Sequence, residues 1–285
     1  MAGKPTKSLC ALDWLLEGED PAVRHLALRD VAGEAPDGKA VRAARQAAHK
    51  EGSIPAVLSK MHAEGYWAAP GPGYNPKYRS TVWSVILLAQ LGAAAGLDKR
   101  IAQACLYLLD HACASEGQIS ASGAPSGTAD CLQGNIAWAL MELGCEDGRL
   151  AKVIDWTARS VTGEGIAPMS ERDAPVRYYA GKCGPDFACG ATNKQPCAWG
   201  GTKVMLALGR IPEKDRTPAV RRAIKRGADW FLGQPLAAAG FPTGYGTKPS
   251  GNWWKFGFPV FYVTDLLQVA EALAAAGYGN AKRLA

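Results

Sequence analysis

No window of eighteen apolar residues occurs in the chain, so no membrane-spanning helix is expected. Residues 1–13, Met1 to Asp13, lack the uninterrupted apolar core of a secretory signal. A cytoplasmic protein is the resulting expectation, and in that compartment disulfides are rare. Histidine is scarce, with only His25, His49, His62 and His111. No GxSxG elbow, Walker loop or HExxH element is found, which removes the motif grounds for serine-hydrolase, P-loop or zincin chemistry. Convincing strand alternation is absent too. The net charge of +6 is modest, and Arg221, Arg222, Lys225 and Arg226 supply much of it in one segment. Without stacking aromatics or a binding module beside them, these residues read as a solvated outer helix face, and no nucleic-acid partner is expected.

What the sequence does contain is helical periodicity. Residues 98–112 place Ile101, Cys105, Leu108 and Leu109 on one face, and residues 216–233 do the same with Val220, Ile224, Gly227 and Phe231. Three helices are predicted in the first fifty residues, at 9–17, 21–32 and 37–49. Four later segments are apolar nearly all round and end at Gly92, Gly144, Gly209 and Gly277, each suited to a left-handed C-cap. Helices greasy on every side belong inside. The more charged segments at 98–112, 148–161 and 216–233 belong outside. The alternation is that of a repeat architecture. Glu64-Gly65, Glu116-Gly117 and Glu164-Gly165 recur just after outer helices.

Glu64-Gly65-Tyr66-Trp67, with His62 near the glutamine position, resembles the Q-x-x-D-G-x-W element of squalene and terpene cyclases. With the alternating helices, it resembles the α/α-toroid of those cyclases and of protein prenyltransferase β subunits. The resemblance implies an all-α fold of about five to six helical hairpins, closed or incomplete as a ring. Residues 1–285 would form one domain, with 1–50 as a helical cap and 51–280 as the repeats. It also implies an apolar substrate, isoprenoids included, in a central cavity. The D-x-D-D and D-D-x-x-D motifs of those enzymes are missing, so neither standard mechanism carries over.

In a toroid the inner helices open on a common rim. Aligning the terminal glycines puts Arg79, Cys131, Pro196 and Thr264 at one level, and Ser80, Leu132, Cys197 and Asp265 one residue further in. Cys131 and Cys197 should therefore be neighbours, with Cys183 and Cys189 in the loop above them. Three readings of these four cysteines stand open: buried thiols or a disulfide, a structural zinc site, and an iron–sulfur cluster. The 30-residue stretch 165–195 has no regular period and calls for an anchor. Cys145 lies fourteen residues from Cys131, roughly 21 Å along a helix, and belongs to the opposite rim.

The same rim gathers Tyr78, Arg79, Trp253, Trp254, Lys255 and Tyr262 as candidate substrate contacts. They line a cavity on one reading and plug it as core on the other. Asp265, one turn into an apolar helix, is either paired with Arg79 or a general acid/base. Asp130 is either a cap-region residue or a second catalytic carboxylate. An enzyme acting on an apolar substrate is the leading expectation, against a metal-stapled scaffold binding a lipid or other small molecule. A carbohydrate-active enzyme using Asp130 and Asp265 is a further alternative.

Overall fold

The computed structural model of the chain describes residues 10–17 and 19–284, and these are all-helical apart from four isolated β-bridges. Residue 9 of the expected first helix lies outside the described residues. Helix α1 runs Ala11–Leu15, α2 Pro21–Asp30, α3 Lys39–Ala48 and α4 Ser53–Leu58. The longer elements follow: α5 Thr81–Gln90, α6 Lys99–Ala112, α7 Asp130–Leu143, α8 Arg149–Thr162, α9 Ala198–Arg210, α10 Pro218–Leu232 and α11 Leu266–Leu273. Among the described residues no helix is long and apolar enough to cross a membrane.

Helices α5, α7, α9 and α11 pack side by side in that order, and α6, α8 and α10 lie outside them. The inner set is buried because it carries almost no polar face. Val82, Trp83, Val85, Ile86 and Leu88 of α5, and Ile136, Ala137, Ala139 and Leu140 of α7, are within a few per cent of full burial. Each fully buried large apolar side chain of this kind contributes about 1.5–3 kcal/mol. The outer helices bury one stripe only: α10 turns Val220, Ala223, Ile224 and Phe231 inward and leaves Arg221, Arg222, Lys225 and Arg226 exposed or ion-paired. Helices α2 and α3 form a hairpin, the outer–inner pairs α4/α5, α6/α7 and α8/α9 are in contact, and α10 packs on α8 and α9.

The closest helix contact is between α7 and α9, and glycine makes it possible. A Cβ on Gly134 would stand 2.3 Å from the carbonyl carbon of Lys203, and one on Gly200 would stand 3.0 Å from Asp130 Cβ. Gly92, Gly144 and Gly277 adopt positive φ at or near inner-helix ends, as C-capping glycines do. Gly209 does not. It stays within α9, where a Cβ would meet the Ala275 backbone at 2.9 Å, so its role is close approach to the end of α11. The recurrent Glu-Gly turns place Gly65, Gly117 and Gly165 at positive φ.

A buried glutamine ties one of these turns into the helix layers. Gln133 Oε1 accepts the Ile119 N–H at 2.7 Å, while its Nε2 donates to Gly117 O, Val153 O and Thr157 Oγ1 at 3.0–3.2 Å. Side-chain contacts and short bridges anchor the long segment 165–195. Tyr178 donates to Ser160 O at 2.7 Å, Phe187 is buried against Phe231, and bridges join Ala167 to Arg177 and Ala188 to Pro196.

Candidate functional site

Helices α7 and α9 begin beside one another because their glycines let the backbones approach. A cavity of ≈ 260 Å³ lies at these two N-terminal ends. Cys131 comes from the first turn of α7, Cys197 is the N-cap residue of α9, and Cys189 comes from the turn that precedes it. Asp130 forms part of the same wall. Leu132 and Trp199 add apolar surface, and Tyr74, Lys77, Tyr262 and Lys182 line the remainder. The Lys77 ammonium stands over the rings of Tyr262 and Tyr74, 5.1 and 5.4 Å from their centroids, which is cation–π range.

The titrating groups differ sharply. The Cys189 thiol is lowered to about 6, chiefly by a hydrogen bond with the Cys197 thiol, with the Ala191 and Thr192 N–H groups and the Lys182 charge adding to it. Cys197 is raised in turn, as the partner that keeps its proton. Burial pushes Cys131 up to about 11, with the neighbouring Asp130 and Cys189 acting in the same direction. Asp130 is raised well above the carboxylate range by burial and by Cys189, and its Oδ2 has no hydrogen-bond partner. The site thus sets a thiol whose charged form is favoured by its hydrogen-bonding neighbours beside a carboxyl group whose neutral form is favoured by burial.

Not every expected residue is found here. Cys183 packs instead with Trp156, Ile166 and Tyr178, and its thiol faces Ala180 O at 3.7 Å. Among the described residues no group of three or more His, Cys, Asp or Glu side chains is placed to hold a metal ion. Asp265 does not pair with Arg79. Its Oδ1 accepts the Gln268 N–H at 2.9 Å as the N-cap of α11, the bond that an aspartate at this position makes most readily. Asp130, by contrast, is the first residue of α7, with Ala129 at the cap position.

The aromatic segment also divides. Trp253 is buried against Phe241 and Trp199 and lines a neighbouring cavity of ≈ 270 Å³. Trp254, Phe256 and Phe258 are exposed, so they do not fill the interior, and Lys255 is exposed beside them. Only the end of the segment turns inward. Phe261 and Tyr262 pack on Trp83 and Tyr78, and Asn135 Nδ2 donates to Phe261 O at 3.0 Å. Gln90 meets the backbone of Val260 with both amide atoms. Tyr78 donates to Tyr262 at 3.1 Å, while Arg79 faces a separate cleft.

Sequence reasoning missed Lys182, Trp199 and Lys203. Lys203 sits within an otherwise apolar helix, which was the available signal. Its amine is buried, donates to Gln268 Oε1 and is lowered to about 7 by desolvation. Compared with known proteins, the chain matches no family model, no curated protein and no solved structure.

Proposed function

We propose that the chain binds a small, largely apolar molecule between the starts of α7 and α9 and acts on an electrophilic carbon of it through Cys189. The observation that carries this reading is the cavity itself: three thiols and a buried carboxyl group with one unpartnered oxygen converge on one apolar recess with lysines at its edge. Cys189 is the nucleophile, Cys197 donates to it, and Asp130 is the proton source. With a conjugated enone, the Cys189 sulfur forms a C–S bond to the β-carbon and the displaced electron pair moves toward the carbonyl. Asp130 supplies the proton and regains one from water. Tyr74, Tyr262 and Trp199 surround the apolar part, and Lys77 and Lys182 favour an anionic substituent. The apolar substrate implied by the resemblance, isoprenoids included, is retained, with Asp130 rather than Asp265 as the acid.

The test is reaction with limiting trans-2-octenal followed by peptide mass mapping. The adduct is expected on Cys189, and Asp130→Asn is expected to slow its formation while Cys189→Ser abolishes it. Preferential labelling of the exposed Cys10 would contradict the reading. So would about one zinc per chain by elemental analysis of protein purified without added metal, which would make the cavity thiols ligands instead.

A further inference from the structure

A second cleft of ≈ 690 Å³ lies across the Tyr78–Tyr262 contact from the thiol cavity. Its floor is apolar, formed by Val57, Trp67, Leu87, Leu91 and Phe258. Lys60 and Arg79 are its charged groups, His62, Tyr78 and Ser84 add neutral polar atoms, and among the described residues no aspartate or glutamate lines it. Neither Lys60 nor Arg79 enters a salt bridge among the described residues. Ser53, at the edge, donates to Asp20, whose other carboxylate oxygen caps α2 through the Ala22 N–H at 2.9 Å, so that charge is already engaged. Two lining residues, Ala68 and Tyr78, hold φ of 65° without being glycine. Backbone strain of this kind is retained where surrounding structure imposes it, and it concentrates at ligand sites.

We infer that this cleft binds a single-chain amphiphile with an anionic headgroup. The chain lies on Trp67, Leu87 and Leu91, and the headgroup meets Lys60 and Arg79. Apolar burial supplies the attraction, and the unpaired cations set the sign of the charge. The site is independent of the thiol cavity and of the chemistry proposed there, since no cysteine lines it.

Titration calorimetry with dodecanoate, dodecyl phosphate and dodecyltrimethylammonium, each below its micelle-forming concentration, tests the inference. Saturable binding of one anionic amphiphile per chain is expected, with the cationic one about tenfold weaker or absent. Both cations are exposed, so the double variant Lys60→Glu/Arg79→Glu should keep its circular dichroism and lose about tenfold in affinity for the anionic probes. Ala56→Trp, also at an exposed lining position, should fill the cleft and remove binding. Equal affinity for the cationic amphiphile, unchanged affinity in the charge-reversed variant, or no saturable binding would overturn it. Should a variant fail to fold, the charge preference of the wild type decides alone.

Discussion

Thiols gather near both ends of the inner-helix layer, yet the two ends are built to opposite purposes. At the C-terminal ends, guanidinium groups close the exposed carbonyls. Arg216 donates to Gly209, Ile211, Ala275 and Ala276 at 2.9–3.2 Å, and Arg45 donates to Gly92 and Ala93 at 3.1 and 3.4 Å. This matches cation to the negative end of the helix dipole. Cys105 and Cys145 line one recess there, beside the Asp147–Arg149 ion pair. At the N-terminal ends of α7 and α9, no side chain caps the helix. A thiol, Cys197, occupies the place at α9 that a capping serine or aspartate usually takes, and Ala129 occupies it at α7. The difference lies in what meets the backbone: guanidinium groups take up carbonyls at one end, while the other leaves Asp130 Oδ2 unpartnered in an apolar cavity.

The comparison can be broken most forcefully at the α7–α9 contact. Gly134→Ala places a methyl group against the Lys203 backbone and should cost about 3 kcal/mol, read as a lower urea midpoint. It should also disrupt the thiol cavity, because the helices must separate. Arg216→Ala removes four carbonyl contacts at the closed end and should cost about 2 kcal/mol. Reactivity of Cys189 should survive it, which separates the two ends experimentally.

Asp130→Asn should act with the opposite sign. A carboxyl group whose folded-state pKa is raised adds no penalty below pH ~4, the ordinary carboxylate value. Its penalty grows as pH rises from there toward the folded-state value. The asparagine variant should therefore unfold at a higher temperature than the parent at pH 8, with the gap closing toward pH 3.5. The smallest effect is expected at Cys145→Ser. This replaces a half-buried thiol at the well-partnered end, and it should change stability by less than about 1 kcal/mol and leave Cys189 labelling unchanged.

Much of the framework was legible because it rests on periodicity. The all-round apolar character of 81–90 and 130–143, and the single apolar stripe of 218–232, identify inner and outer helices without any knowledge of contacts. The alignment of glycines placed Ser80, Cys197 and Asp265 at one level, and each is an N-cap residue. It was displaced in α7, whose cap is Ala129, because that helix begins earlier relative to its closing glycine. The role of Gly209 was hidden for a related reason. A capping glycine and a close-contact glycine look alike in sequence, and only the approach of Ala275 distinguishes them.

The site was less legible because it depends on a loop. Nothing in the spacing Cys183-x5-Cys189-x7-Cys197 shows that the first cysteine packs on Trp156 and Tyr178 while the other two meet. The aromatic run from Tyr245 to Tyr262 likewise has no periodicity to reveal that Trp253 and Phe261 turn inward while Phe256 and Phe258 remain exposed. Asp265 drew attention as a buried carboxylate, but a backbone N–H satisfied it locally. Asp130, two helices away in the layer, kept the unmet oxygen.

The central claim is that Cys189 is a thiolate at neutral pH because of Cys197, the adjacent N–H groups and Lys182. The most direct measurement is its alkylation rate by iodoacetamide between pH 4.5 and 9.5, followed by peptide mass spectrometry. The account predicts a midpoint near the value of about 6 set by this environment, moving toward the ordinary thiol value of ~8.5 when Cys197 is replaced by alanine. A wild-type midpoint at or above ~8.5 would contradict it.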